Sequence, residues 1–100
     1  MKAELFNYTC WVKNSEASYL KSSLEQLLNT CTFEILGFME HHFTPHGYTC
    51  IWLLGESHLA VHTYPEENKS YIELTSCVKE KNEHFKQLLG SFFEIEGNER

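Results

Sequence analysis

Three strand-length stretches, Tyr48–Leu54, Ser57–Tyr64 and Ser70–Cys77, follow one another with only Gly55-Glu56 and Pro65-Glu66-Glu67-Asn68-Lys69 between them. The first is nearly continuous in apolar residues. The second carries Leu59, Val61 and Thr63 at alternate positions, and the third is apolar through Tyr71, Ile72 and Leu74. Connectors this short join antiparallel neighbours, because a parallel pair needs a crossover of a dozen residues or more. The middle of the chain is therefore expected to be an antiparallel sheet, and the rest must cover it.

Upstream, Glu4–Trp11 reads as a strand through Phe6, Tyr8 and Cys10. Ala17, Leu20, Leu24, Leu27 and Leu28 then recur at three- and four-residue steps, which predicts an amphipathic helix from about Glu16 to Asn29. Cys31–Phe43 reads as a long strand with Gly37 as a bulge, and Thr44-Pro45-His46-Gly47 as a turn. Downstream, Asn82 is placed to cap a second helix through Phe85, Leu88 and Leu89, ended by Gly90. Ser91–Ile95 forms a last strand, and the tail Gly97–Arg100 frays. The order β-α-β-β-β-β-α-β predicts an α+β fold: a two-layer sandwich of a mainly antiparallel sheet with two helices on one face. The other face then needs a cover, which favours a homodimer.

With 100 residues, 42% of them hydrophobic and 14% aromatic, the chain suits a single domain spanning residues 1–100. A formal net charge of −6 argues against nucleic acid as a partner and suits a small cationic substrate or an amine better. No apolar run is long enough to cross a bilayer and the first residues lack an export signal, so no membrane partner and a cytoplasmic location are expected. Cys10, Cys31, Cys50 and Cys77 are accordingly read as free thiols, with no C-x-x-C pair among them.

Chemistry concentrates at Glu56-Ser57, with His62 five residues on and Cys77 twenty residues on. Ser57 follows the break between two strands, so its side-chain direction does not follow from the pleat alone. A serine hydroxyl needs help from a base, strain or oxyanion donors to act as a nucleophile. Helped in this way, Ser57 would attack the Glu56 carbonyl and convert amide to ester. Elimination would split the chain, and loss of ammonia would leave a pyruvoyl group. Such a keto group captures a substrate amine and accepts electrons as CO2 leaves, as pyridoxal phosphate does. A thiol such as Cys77 is suited to return the proton.

Glu56-Ser57-His58-Leu59, His62-Thr63-Tyr64-Pro65-Glu66 and Thr75-Ser76-Cys77 resemble the bacterial and archaeal S-adenosylmethionine decarboxylase proenzymes, and His41-His42-Phe43-Thr44-Pro45-His46-Gly47 is similar to the segment before their processing site. The resemblance is specific from about His41 to Cys77 and looser elsewhere. It implies cleavage between Glu56 and Ser57 into a β chain 1–56 and an α chain 57–100 whose pyruvoyl cofactor derives from Ser57. It further implies that His62 assists processing, with Thr49 standing where the family has a serine. Cys77 becomes the proton donor, Phe43 the platform for adenine and Glu66 the carboxylate for the ribose hydroxyls. The implied substrate is S-adenosylmethionine, for spermidine synthesis.

Departures from the family pattern fall around the substrate pocket: Tyr64 where Trp is usual, Glu66–Ser70 where the turn is usually small, Gly55 where a larger residue is common, Val78 after Cys77 where Gly is common, and a short C-terminal segment. Arginine or ornithine therefore stays open as an alternative substrate, and a non-processing binding or regulatory subunit as an alternative role. Taken singly, Cys77 is more often a small buried hydrophobe and Phe43 a core residue. His41, His42, His46, His58 and His62 invite a metal reading, but no second ligand pair accompanies His58 and His62, so no metal is assigned.

Overall fold

The computed structural model describes residues 3–96. Its elements are β1 (Phe6–Val12), α1 (Ala17–Thr30), β2 (Ile35–His42), β3 (Tyr48–Leu54), β4 (Ser57–Tyr64), a 3-10 turn at Pro65–Glu67, β5 (Lys69–Ser76), α2 (Lys79–Leu89) and β6 (Ile95–Glu96). The strands form one sheet in the order β2-β3-β4-β5-β1-β6, and every neighbouring pair is antiparallel. The short connectors read from the sequence make the run β2 to β5 a meander. β1 adds to the outer side of β5, so α1 must cross the sheet to reach β2.

Both helices cover the same face. Leu20, Leu24, Leu27 and Leu28 of α1 and Phe85 and Leu89 of α2 are fully buried against Cys50, Trp52, Leu54, Leu59, Val61, Ile72 and Leu74 of the sheet. Each large side chain buried this way contributes about 1.5–3 kcal/mol relative to exposure. The indole N–H of Trp52 is not wasted there, because it donates to the Glu25 carboxylate at 3.2 Å. The predicted α+β sandwich is the observed one.

Local differences from the sequence reading have identifiable causes. The strand expected from Cys31 begins only at Ile35, because Cys31–Phe33 terminate α1. Thr32 is left-handed at φ 62, its N–H reaches the Asn29 carbonyl at 3.0 Å, and the Phe33 N–H reaches Leu28 at 3.0 Å. This is a Schellman-type ending with threonine where glycine is usual. The bulge expected at Gly37 is present as a register shift between Ile35 and Gly37.

Asn82 is not the cap of α2. The helix starts at Lys79 with Val78 as its cap residue, and Asn82 lies one turn inside, buried, donating from Nδ2 to the Phe6 carbonyl at 2.9 Å. Gly90 does end α2, but with φ −65, so its left-handed freedom is unused. The chain then turns once more through Ser91 and Phe92, and Phe93 returns to the core. The last strand is consequently only Ile95–Glu96 rather than Ser91–Ile95. The tail Gly97–Arg100 lies outside the described residues.

The face away from the helices carries Met39, Thr49, Ile51, Leu53, His58, Ala60, His62, Tyr64, Tyr71 and Trp11. Met39, Ile51 and Leu53 are 73%, 39% and 56% exposed, an apolar patch on β2 and β3 that nothing in the described chain covers. Among the described residues, no helix is long and apolar enough to cross a membrane.

Candidate active site

Leu54 and Ser57 pair directly, so Gly55-Glu56 is a two-residue link that must reverse the chain. Such a link requires at least one unusual φ, normally taken by glycine. Here the left-handed φ of 58 falls on Glu56 and not on Gly55. A non-glycine residue held left-handed costs about 1–2 kcal/mol. That strain sits on the residue whose carbonyl precedes Ser57, and strain of this kind gathers at functional positions.

The pleat runs regularly to the first residue of β4, so Ser57 does follow the alternation. Its side chain shares the buried face with Leu59, Val61 and Thr63 and is 8% exposed. The hydroxyl donates to the Gly55 carbonyl at 3.2 Å, which folds it back over the Glu56 peptide unit. Cys77 leaves β5 beside this turn, and its thiol donates to Glu56 Oε1 at 3.5 Å. The Cys77 turn is itself fixed by buried Ser76, whose hydroxyl accepts the Val78 N–H at 3.0 Å. Glu56, Ser57 and Cys77 therefore form one cluster at one end of the sheet.

A second cluster lies toward the opposite end. Thr49 and His62 are direct partners across β3 and β4, with Oγ1 3.0 Å from Nδ1. Tyr64 ends β4 and packs on Trp11, ring centroids 5.5 Å apart, and Trp11 also meets Tyr71 at 5.2 Å. Phe43 follows β2, half exposed, with its ring edge-on to His41 at 4.5 Å and its N–H on the Gly47 carbonyl at 2.8 Å. Gly47 has φ +117, a conformation side chains rarely adopt, and a Cβ there would sit in ordinary contact with Phe43 at 3.5 Å. Glu66 stands in the 3-10 turn with its carboxylate 3.6 Å from His46 Nε2, both exposed.

The two clusters do not meet within one chain. Ser57 and His62 are five residues apart on β4, about 16 Å along an extended strand, and on opposite faces. The structure brings Glu56, Ser57 and Cys77 together, and brings Thr49, His62, Tyr64, Phe43 and Glu66 to the other region. The left-handed Glu56, the Cys77–Glu56 contact and the Trp11–Tyr71 pairing were not anticipated. The first was accessible, since a two-residue link forces an unusual φ on one of its members.

Elsewhere the thiols are quiet. Burial raises the pKa of Cys10 and Cys31, and pushes that of Cys50 up from 9.0 to about 11. Tyr48, beside Cys50, is also raised by burial and by the hydrogen bond it donates to Glu40.

Comparison with known proteins bears on this arrangement. A 33% identical stretch of 63 residues is shared with an S-adenosylmethionine decarboxylase proenzyme of Brevibacillus brevis, covering 63% of this chain and 47% of that protein. A proenzyme of the same name from Prochlorococcus marinus is 27% identical over 66 residues, covering 66% of this chain and 54% of its own length. The chain thus spans about half the length of these curated relatives. The crystal structure of the adenosylmethionine decarboxylase from Aquifex aeolicus superposes with a TM-score of 0.79 over 97% of this chain and 86% of that one, at 17% identity, which speaks for the fold. A sequence profile for S-adenosylmethionine decarboxylase matches residues 7–99, nearly the full length, and the chain belongs to that family.

Proposed function

We propose that this chain is a self-processing decarboxylase that cuts itself between Glu56 and Ser57 and acts on S-adenosylmethionine. The observation that carries the reading is the scissile turn: a left-handed Glu56, a serine hydroxyl folded back over it, and a thiol beside it. In cleavage the Ser57 oxygen takes the Glu56 acyl group. The Ser57 Cβ–Oγ bond then breaks as its Cα proton goes to a base, and Glu56 keeps both oxygens as a new carboxylate.

The residues fit the pyruvoyl group that follows, since Ser57 at the start of β4 carries the hydroxyl from which such a group is made and Cys77 lies at the same turn. That group supplies an electron sink for a substrate amine losing CO2. Cys77 returns a proton to the substrate carbon. Phe43 offers an exposed aromatic face to the adenine, and Glu66 an exposed carboxylate to the ribose hydroxyls.

The working unit in this reading is a homodimer. Thr49 and His62 lie about 16 Å from Ser57 of their own chain, beyond hydrogen-bond reach. A second copy laid on the open face in the opposite sense brings its Thr49–His62 end to the Glu56–Ser57 backbone of the first, on the side opposite the Ser57 hydroxyl. The exposed Met39, Ile51 and Leu53 supply apolar area for that contact.

Intact-mass analysis of the purified protein tests the processing: two chains, residues 1–56 and 57–100, are expected. Release of labelled CO2 from carboxyl-labelled S-adenosylmethionine, against labelled arginine and ornithine, tests the substrate. A chain that stays whole and releases no CO2 from any of the three overturns the reading.

A further inference from the structure

Glu56 and Cys77 touch across the turn that is to be cut, and the proposed reaction separates what holds them together. Glu56 is left-handed where its side chain meets Cys77, and Cys77 lies in the turn that Ser76 closes with the Val78 N–H. The thiol that must later give its proton at residue 57 therefore begins with that proton pointed at a carboxylate. A carboxylate is an acceptor only, so while the contact lasts the S–H bond is aimed away from Ser57.

Resting on the processing reading above, we infer that Glu56 is a positioning residue that holds the Cys77 thiol in the uncleaved chain and releases it on cleavage. Scission removes the covalent closure that keeps Glu56 at φ 58. It also leaves Glu56 with a second carboxylate beside its own, and the repulsion between them favours a relaxed, displaced chain end. The acid thus becomes free when the residue it serves has been made. Until then the thiol is kept from the strained Glu56 carbonyl, where its attack would compete with that of Ser57.

The rate at which iodoacetamide alkylates Cys77, read by peptide mass spectrometry, tests this. Ser57→Ala gives a chain that cannot process, and buried Cys31 and Cys50 serve as internal references. Adding Glu56→Ala to Ser57→Ala is expected to speed Cys77 alkylation about twofold, the low end of what a hydrogen bond is worth, since a thiol is a weak donor. Glu56→Asp, one methylene shorter, should act in the same direction and keeps the comparison decisive if the alanine variant folds poorly. Cleaved wild type should match the double variant. Equal rates with and without the Glu56 side chain overturn the contact, and a cleaved enzyme as slow as Ser57→Ala overturns its release. Both single-chain variants are uncleavable by design, so failure of wild type to process is seen separately, as an intact mass, and leaves the contact tested.

Discussion

Thr49 Oγ1 stands 3.0 Å from His62 Nδ1, the two residues facing each other directly across the β3–β4 ladder on the uncovered side of the sheet. The ladder fixes both backbones, so the hydroxyl orients the ring without help from a loop. A hydrogen bond to one ring nitrogen decides which tautomer the other presents. Replacing Thr49 by Val removes that control while keeping the branched shape. Self-cleavage should slow about tenfold, less than the ~100-fold or more that a positioned acid or base itself contributes because the ring is still present, whereas Thr49→Ser should stay within a few-fold of wild type. The fraction of split chain, followed by intact mass after expression is stopped, measures both.

The scissile turn and the end of α1 share one device, a left-handed residue that is not glycine, and they can be told apart by substitution. Thr32→Gly at φ 62 should raise stability by about 1 kcal/mol in urea unfolding and leave processing unchanged. Glu56→Gly at φ 58 relieves the same strain but gives up the Cys77 contact, so it should stabilise the uncleaved chain by less, and it should slow cleavage because it removes strain at the attacked carbonyl. Gly55→Ala should be nearly neutral, since an added Cβ meets nothing closer than the Glu34 carboxylate at 3.6 Å.

Alternation made most of this fold legible. The buried set Leu59, Val61, Ile72 and Leu74 and the helical set Leu20, Leu24, Leu27 and Leu28 stand where their spacing puts them. Parity places Ser57 and His62 on opposite faces only once the structure shows that the pleat is regular up to Ser57, which the Gly55-Glu56 break had left open. What spacing could not reveal was the chain ends of the helices. Thr32 terminates α1 in a conformation glycine usually takes, and Asn82 looks like a cap but spends its amide on the Phe6 carbonyl. The first rests on local turn hydrogen bonds to Asn29 and Leu28 and the second on a bond to a distant strand, and neither leaves a periodic trace. The Glu56–Cys77 contact is of the second kind, its partners twenty-one positions apart in the chain.

Alkaline stability should reflect the buried Cys50–Tyr48 pair. Burial raises Cys50 from 9.0 to about 11 in the folded chain, and Tyr48 is raised in the same sense. For a thiol with a raised folded pKa, stability is fully present below its unfolded value and falls as pH climbs from about 9 to 11. The urea midpoint should therefore drop across that window, at no more than about 1.4 kcal/mol per pH unit from one such group. Cys50→Val should flatten the fall, and an unchanged slope would remove Cys50 as its source.

The separation of Ser57 from His62 makes the strongest demand on quaternary structure. If each site takes Ser57 and Cys77 from one chain and Thr49 and His62 from the other, Ser57→Ala and His62→Ala homodimers are both deficient, for different reasons. Ser57→Ala has nothing to cleave, and His62→Ala lacks the assisting ring. Unfolding and refolding the two together places some of each in one dimer. There the His62→Ala chain contributes an intact Ser57 and the Ser57→Ala chain contributes an intact His62, so one of two sites is whole. Random assortment puts about half of all dimers in this mixed state, and one site in each can mature, a consequence of two-fold symmetry. Intact mass should then show cleavage of up to about half of the His62→Ala chains and none of the Ser57→Ala chains. Substituting Leu53→Glu on the open face of both chains should abolish the rescue, since it sets like charges into the apolar contact at 56%-exposed Leu53. Cleavage of His62→Ala alone at the wild-type rate, or no rescue in the mixture while a mixed dimer is present by native mass, would place the assisting group elsewhere.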